Sequence, residues 1–459
     1  MAGALSEAAV EGVEVEVWAD TELKNYQPFF NGLYNKLVKN GAKKVPVGFV
    51  TSGGSIQRGA FRAGFRAQGG GNFTALALST SGSVPPIPRG SASTYDSFVA
   101  TPYQYLGVTE IASDAIAAVA GGRGKIKLPS SEMEYSSDSF MNDMESLIYG
   151  DASGTIDTIP STGTVNSGTG GGGAGSATYS SIIGVNAALF TDQMVVQVFP
   201  AVGGSTRGSF TVSFTDPVAS TIYSTTVLPS TGGATAVGDI LVIQGGTGAA
   251  GSAVYGLKYW YRNGNTGTLA GITKANYPGR LSTPTLNANG QSLPPSVAAK
   301  IEAIRMRASG DKNYMQNDKG AFWYANPAQG AQFASDFYNK YTPTYDITGK
   351  ETVPDIVKGM QKTFLGEDCL WSTTADLTRA DRVRPKDFVI GEAYTMRLKD
   401  FGEGMTIVPV PAQAGGFGSG WTYLNSKMFA WEQALNIICV DPKSGFYISS
   451  LPQVSLTTV

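Results

Sequence analysis

Histidine, the side chain that most often moves protons in enzymes, does not occur in this 459-residue sequence. Its absence excludes Ser-His-Asp and Cys-His catalytic arrangements as well as imidazole metal ligands. The two cysteines, Cys369 and Cys439, are too few for a disulfide framework or a thiolate metal site. Acidic neighbours of Cys369 would raise the pKa of its thiol, so we expect no activated nucleophile there. The commonest hydrolase and metalloenzyme mechanisms are therefore not available to this chain.

Two other patterns could carry chemistry. Five carboxylates share one short segment at spacings that place some of them on one helix face: Glu132, Glu134, Asp138, Asp143 and Glu145. A solvated helix face is a far commoner role for such a pattern than an acid–base or divalent-metal site. The glycines of 168–175 match G-x-G-x-x-G, but no strand leads into them and no helix pattern follows. We therefore predict no catalytic, cofactor-binding or metal-binding residue.

Charge is divided unevenly along the chain, although the net charge is only −2. Residues 1–22 contain carboxylates and no Lys or Arg. Residues 23–95 contain basic side chains and no carboxylate: Lys24, Lys36, Lys39, Lys43, Lys44, Arg58, Arg62, Arg66 and Arg89. The two segments could lie side by side in one subunit, where exposed pairs contribute little stability. Alternatively, the basic segment could be an arm that lies on the acidic surface of a neighbouring molecule.

The elements that would position these charges begin with a predicted strand over 12–18, followed by a helix over 21–39 that Pro28 interrupts. Residues 43–100 combine short alternating runs with flexible and proline-rich stretches, which favours a projecting hairpin or arm. The clearest helix is predicted over 132–149. Its signals are a capping box at Ser131, an apolar face and a stop at Gly150. The apolar face comprises Met133, Phe140, Met144, Leu147 and Ile148.

The second half of the chain is predicted to form strands and a few helices. No charge occurs between Asp157 and Asp192, and the glycines at the centre of this stretch predict a mobile surface loop. Four β-rich runs predict a small antiparallel sheet or barrel, over 194–199, 209–215, 222–228 and 240–244. Helices are predicted after Ser296 and after Asn326, and short strands from Val383 to the end. The predicted fold class is α+β without repeated βαβ units.

In their order along the chain, these features resemble the major capsid proteins of tailed bacteriophages, which share the Hong Kong 97 fold. The helix ends in Tyr149-Gly150-Asp151-Ala152-Ser153-Gly154, similar to the family's frequent "YGDGSG" ending. The approach to the family's axial domain resembles Tyr255-Gly256-Leu257 together with 271–278. The start of a helix with a proline in many members resembles Asn326-Pro327-Ala328. The strand that returns to the peripheral domain resembles 435–442.

The resemblance implies a division of the chain into an N-terminal arm, an extended E-loop, a peripheral domain with a long spine helix, a β-rich insertion and an axial domain. The expected ranges are 1–44 for the arm, 45–108 for the E-loop, 109–188 for the first peripheral piece, 189–254 for the insertion, 255–365 for the axial domain and 366–459 for the peripheral return. The implied function is structural: hexamers and pentamers of the chain would tile an icosahedral shell around phage DNA. The expected location is the virion capsid, after assembly in the host cytoplasm.

Contacts between subunits are the sites that this resemblance suggests. The candidate residues are Arg58, Arg62, Arg66 and Arg89 on the E-loop, paired with Glu132, Glu134 and Asp138 on a neighbouring spine helix. Some family members join an E-loop lysine to an asparagine of another subunit, but no Lys occurs between Val45 and Gly124 here. We therefore expect a shell without this cross-link. Expected partners are a separate scaffolding protein, a portal, a decoration protein and nonspecifically bound DNA.

Three alternatives remain open from the sequence. An encapsulin-type shell that holds enzymes shares the fold, although such chains are usually shorter. A β-rich phage tail or carbohydrate-binding protein fits the Gly, Ser, Thr and aromatic content but leaves the long helix unexplained. A hydrolase that uses Ser and Lys is the enzyme alternative, although no S-x-x-K sequence occurs in a convincing helical context.

Overall fold

A computed structural model describes most of the chain. The residues described are 32–52, 55–68, 93–112, 128–167, 179–200, 204–216, 219–291, 300–301, 303–305, 307, 320–332, 363–364, 367–400 and 426–452. The strand predicted over 12–18, the Pro28 break and the glycines of 168–175 lie outside these ranges. No helix in the described part of the chain is long and apolar enough to cross a membrane.

Three α-helices have described bounds: α1 (Gly32–Lys39), α2 (Leu128–Tyr149) and α3 (Leu257–Trp260). Helix α2 confirms the predicted long helix, but it begins at Leu128, so Ser131 lies inside the helix and is not its N-cap. Its predicted apolar face is buried at Phe140, Met144, Leu147 and Ile148. Residues 327–332 are helical, as predicted from Asn326-Pro327. Helical residues also occur within 300–307.

In the described part of the chain, twenty-four strands account for most of the regular structure. In chain order they are β1 (Lys43–Pro46), β2 (Phe49–Ser52), β3 (Ser55–Arg58), β4 (Phe61–Gln68), β5 (Thr94–Ala100), β6 (Tyr103–Ala112), β7 (Thr155–Thr158), β8 (Thr164–Asn166), β9 (Ser180–Ile183), β10 (Val195–Phe199), β11 (Gly208–Thr211), β12 (Phe214–Asp216), β13 (Thr221–Ser224), β14 (Ile240–Ile243), β15 (Thr268–Leu269), β16 (Ile272–Thr273), β17 (Thr285–Asn287), β18 (Phe322–Ala325), β19 (Thr363–Phe364), β20 (Glu367–Trp371), β21 (Ala380–Val383), β22 (Phe388–Asp400), β23 (Ser426–Cys439) and β24 (Phe446–Ser449).

The three longest strands, β6, β22 and β23, form one sheet together with the short β1, in the order β1-β22-β23-β6. Strand β23 pairs antiparallel with both β22 and β6, whereas β1 joins β22 in parallel. One face of the sheet packs on helix α2, where the Trp431 indole Nε1–H donates to Ser136 Oγ over 3.1 Å. A side chain at Gly107 would collide with the Phe140 ring, so the glycine lets helix and strand approach closely. This sheet and helix share the largest apolar core in the described chain.

A β-sandwich of two four-stranded sheets forms a second core. The sheet orders are β11-β10-β14-β7 and β12-β13-β9-β8. Ile182, Val196, Val198 and Leu241 fill the space between them and are fully buried. The predicted antiparallel β-rich unit is therefore present. It also takes in strands that precede 189, including β8 and β9 from the stretch that was expected to be a loop.

Besides three two-stranded sheets, β2-β3, β4-β5 and β15-β16, the described chain has a six-stranded sheet, β17-β24-β21-β18-β20-β19. Its interior contains charged groups that are paired. Arg382 is fully buried and donates through Nε and Nη2 to the Glu367 carboxylate, at 2.6 and 2.7 Å. Arg379 donates in the same way to Asp381. Such pairing offsets the desolvation of both charges. The whole is a mixture of a few helices with several, mainly antiparallel, sheets.

Candidate assembly surfaces

The hairpin of β4 and β5 has one face anchored on the subunit core. Phe65 and Phe98 stack across the hairpin with their ring centroids 4.7 Å apart. Phe98 also meets the Trp260 ring edge-on at 5.1 Å, and Tyr277 meets Phe65 at 5.5 Å. The period-two alternation of a strand puts Phe61 and the other apolar residues of β4 on this buried face. The apolar residues of β4 thus attach the hairpin to the core.

The opposite face of the hairpin carries cationic side chains. Arg62 and Arg66 are exposed, and in the register of the hairpin they pair with Val99 and Tyr95. Tyr95 is 74% exposed beside Arg66. A strand can bury one face and present the other because successive side chains point to opposite sides. β4 and β5 pair antiparallel within the stretch where a hairpin or arm was predicted, and their outer face is basic. Residues 69–92, which connect the two strands, lie outside the described residues, so a projecting arm stays a prediction.

Two contacts at the base fix the orientation of this hairpin relative to the core. The Tyr277 hydroxyl donates to Asp96 Oδ2 over 2.7 Å, and Arg280 Nη1 donates to the Arg66 backbone carbonyl over 3.1 Å. Gly391 in the long sheet has no room for a side chain because the Phe61 ring lies against it. The arginine face is therefore held in a defined direction at the point where β4 and β5 leave the core.

The remaining predicted contact residues are located only in part. Arg58 ends strand β3 opposite Phe49, and Glu132 and Glu134 lie in the first turns of α2, but their side chains are not among those described. Asp138 is exposed on α2. Arg89 lies outside the described residues. Contact between the arginines and the helix of a neighbouring subunit stays a prediction.

A groove of about 790 Å³ runs between strand β6, helix α2 and the β-sandwich. Strand β6 is an edge strand, since β23 is its only partner in the described sheet. Leu106 and Val108 on this edge are about half exposed. Two carboxylates line the groove, Asp143 and Asp192, and no Lys or Arg occurs among its described lining residues. The sequence pattern did not single out this groove, because strands and helices far apart in the chain form it.

Asp143 is the carboxylate that the fold perturbs most clearly on this helix. Burial raises the pKa of its side chain from the ordinary 3.8 to about 7, opposed by a hydrogen bond from Thr191. The Thr191 hydroxyl donates to Asp143 Oδ1 over 3.2 Å. By contrast, Glu145 accepts hydrogen bonds from the Gly32 amide and the Tyr324 hydroxyl. Asp143 and Glu145, the two carboxylates compared here, thus face different surroundings and do not share one site.

Neither cysteine has the environment of a reactive thiol. Burial raises the pKa of Cys369, and Asp368 adds to this effect, although Lys36 opposes it. Cys439 is fully buried, and its pKa is raised for the same reason. Burial is thus the main cause at Cys369, whereas the sequence suggested only its acidic neighbours. Among the described residues, no group of three or more acidic or Cys side chains is arranged to hold a metal ion.

Comparisons with known proteins were made for the sequence and for the fold. No protein-family model and no curated protein matches the sequence. Solved structures that match most of the chain are phage capsid subunits. The capsid asymmetric unit of cyanophage A-1(L) has a TM-score of 0.49 and 11% identity, covering 90% of this chain and 91% of that chain.

Two further matches have lower scores. The capsid of a native GTA particle has a TM-score of 0.40 and 9% identity, covering 91% of this chain and 90% of that chain. The mature capsid of bacteriophage PhiM1 has a TM-score of 0.39 and 8% identity, covering 90% of this chain and 86% of that chain. At these scores the likeness by itself assigns no function to the chain.

Proposed function

We propose that this chain is the major capsid protein of a tailed bacteriophage. Many copies would form hexamers and pentamers that tile an icosahedral shell around double-stranded DNA. The chain would act as a structural component of the virion, not as an enzyme, and would need no cofactor. Assembly would take place in the host cytoplasm.

The observation that carries this proposal is the two-faced hairpin of β4 and β5. Its apolar face is anchored on the core through Phe65 and Phe98, while Arg62 and Arg66 point away from it. A cationic face held in a fixed direction stabilises its own subunit little, because exposed charges contribute little to folding. The same face is well suited to steer and register a second subunit.

The division of the chain follows from this assignment. The hairpin would be the base of an E-loop within 45–108, preceded by an arm over 1–44. Helix α2 would be the spine helix of a peripheral domain over 109–188, which 366–459 completes with the long strands β22 and β23. The β-sandwich would be centred on an insertion at 189–254, and 255–365 would form the axial domain.

Charge pairing between subunits gives the proposal its specific contacts. Arg58, Arg62, Arg66 and Arg89 of one subunit would meet Glu132, Glu134 and Asp138 on helix α2 of the next. A separate scaffolding protein, a portal and a decoration protein are the further partners that we propose. Contact with packaged DNA would be nonspecific and would weaken as salt concentration rises.

Electron microscopy of the purified recombinant protein, with sedimentation velocity on the same sample, tests the function. We expect closed shells or free hexamers and pentamers, alone or with the scaffolding protein. A protein that stays monomeric at high concentration with scaffolding protein present would contradict the proposal. Particles that enclose a cargo enzyme and no DNA would instead support the encapsulin-type alternative.

The contact residues are tested by the double variant Arg62→Glu and Arg66→Glu. We expect it to lose assembly while the isolated subunit unfolds at an unchanged temperature, since both side chains are exposed. The matched control is Lys300→Glu with Lys386→Glu, which reverses two exposed charges outside the basic segment 23–95. Normal shells from the arginine variant, or equal loss of assembly in the control, would contradict the assignment.

A further inference from the structure

The sequence contains four Asn-Gly pairs, which begin at Asn31, Asn40, Asn263 and Asn289. In such a pair the glycine nitrogen can attack the asparagine side chain, since no Cβ hinders its approach. The sequence alone does not distinguish the four sites. The structure distinguishes the pairs that begin at Asn40, Asn263 and Asn289 by the hydrogen bond that each glycine nitrogen makes.

At the pair Asn263-Gly264, the glycine nitrogen and the asparagine side chain are already joined by a hydrogen bond. The Gly264 nitrogen lies 2.7 Å from Asn263 Oδ1, so the backbone nitrogen is next to the side-chain amide that it would attack. Both residues are exposed, in the turn between α3 and β15. Gly264 has a φ of +88°, a conformation that favours glycine.

The Ser282 hydroxyl completes a triangle with these two groups. Ser282 Oγ lies 2.9 Å from the Gly264 nitrogen, whose N–H it accepts, and it donates to Asn263 Oδ1 over 3.0 Å. One hydroxyl is therefore placed both to take a proton from the attacking nitrogen and to give one to the carbonyl oxygen. Proton transfer by a positioned side chain lowers the barrier of such additions.

The other two described pairs lack this arrangement. The Gly290 nitrogen donates to the Ser450 carbonyl over 2.7 Å, and the Gly41 nitrogen donates to the Val38 carbonyl over 3.2 Å. The side-chain amide of Asn40 is also occupied, since it donates to the Gly320 carbonyl over 2.9 Å. In both pairs the nitrogen is directed to a backbone carbonyl rather than to its own asparagine.

We propose that Asn263 is a site of spontaneous deamidation, promoted by the Ser282 hydroxyl. The Gly264 nitrogen forms a bond to Asn263 Cγ while its proton passes to Ser282 Oγ and the serine proton passes to Oδ1. The bond from Cγ to the side-chain nitrogen then breaks, and ammonia leaves with the proton of the new hydroxyl. Water opens the resulting succinimide to aspartate or isoaspartate. Ser282 is regenerated, and water is the only co-reactant.

The product introduces a negative charge beside Arg262, whose guanidinium donates to the Asp151 backbone carbonyl over 3.0 Å. Isoaspartate would also lengthen the backbone of the turn by one methylene. Since Lys274 donates to the Arg262 carbonyl over 3.0 Å, the change occurs at a junction of several segments. The inference does not depend on the proposed capsid function.

The test is incubation of the purified full-length protein at mildly alkaline pH, followed by peptide mapping with fragmentation that separates aspartate from isoaspartate. We expect conversion at Asn263 to exceed conversion at Asn289 and Asn40, which serve as controls within the same molecule. Ser282→Ala should slow conversion at Asn263 about tenfold, which is less than the effect expected of a buried acid–base group, because water can reach a partly exposed hydroxyl site. Ser282→Thr should restore the rate.

Three outcomes would overturn the proposal. Asn263 could remain intact, Asn289 could convert as fast as Asn263, or Ser282→Ala could leave the rate unchanged. Asn263→Gln identifies the reacting peptide, since it should show no conversion at this position. Thermal unfolding of each variant before incubation establishes that the compared proteins are equally folded.

Discussion

Asp143 shows how the surroundings of one residue can change its titration. Burial raises the pKa of this carboxyl group to about 7, so the folded subunit holds the proton more tightly than the unfolded chain does. Its contribution to stability is therefore complete below about pH 4 and is lost as pH rises through about 7. Asp143→Asn should raise the unfolding free energy at about pH 8 by roughly 1 kcal/mol or more, with little gain at pH 4.

Thermal or urea unfolding across this pH range measures the effect. Asp192→Asn is the matched control, because Asp192 lines the same groove but is exposed. We expect the control to retain the pH dependence of the wild-type protein. An Asp143→Asn variant with the wild-type pH dependence would contradict the expected role of this carboxyl group.

Gly256 is a residue at which the backbone itself leaves no space. A Cβ at this position would lie 2.7 Å from the Ile148 carbonyl oxygen and from the Gly150 nitrogen, at the end of helix α2. Backbone atoms cannot move aside as a flexible side chain can. Gly256→Ala should therefore destabilise the subunit by about 3 kcal/mol or more.

Urea unfolding of the isolated subunit measures this loss. Gly48→Ala is the control, because a Cβ at Gly48 meets nothing within 4 Å. We expect the control to stay within about 0.5 kcal/mol of the wild type, as surface substitutions usually do. Equal stability of the two variants would mean that the segment before α3 can move away from the end of α2 without cost.

At the scale of elements, the hairpin of β4 and β5 separates attachment from assembly by its two faces. Phe98 is fully buried between Phe65 and Trp260, whereas Tyr95 on the same strand is 74% exposed. Phe98→Ala should cost about 3 to 5 kcal/mol of subunit stability through the cavity that it leaves. Tyr95→Ala should leave subunit unfolding unchanged, because its ring makes little contact with the core.

Paired unfolding and assembly measurements distinguish the two faces. We expect the Phe98 variant to unfold at lower denaturant concentration, and the Tyr95 variant to unfold normally but assemble less well. If Tyr95→Ala destabilised the isolated subunit as much as Phe98→Ala, the hairpin would not have separate faces for folding and for contact.

At the scale of the whole molecule, the proposed shell must hold together without one covalent bond known in similar proteins. No Lys occurs between Val45 and Gly124, so the proposed E-loop offers no amine for an isopeptide link to a neighbouring asparagine. We expect intact particles, boiled in detergent and separated on a gel, to give a single band at the mass of the subunit. A ladder of covalent multimers would contradict this expectation.

Some features of the elements follow directly from local sequence. The apolar face of helix α2 and the positions of the β-rich runs could be predicted, because side-chain spacing of 3.6 or 2 residues is a local property. The break inside the run over 209–215 could not be predicted, since β11 ends at Thr211, β12 begins at Phe214, and the two strands lie in different sheets. The start of α2 could not be predicted, because Ser131 is a residue type that often caps helices, yet the helix begins at Leu128. The short alternating runs of 43–100 likewise predicted a hairpin or arm, but the burial of one face of β4 against Trp260 and Tyr277 was not predictable from them.

Only the tertiary structure decides which distant segments meet. Strand β7 pairs with β14 across more than eighty residues, and β1 adds in parallel to β22, although no local pattern indicates either pairing. The raised pKa of Asp143 and the hydrogen bonds that join Ser282 to Asn263 and Gly264 also depend on contacts between separate segments. The sequence by itself determined the absence of histidine chemistry, the segregation of charge and the periodic elements. Burial and proximity depend on long-range contacts, and these are properties of the folded chain.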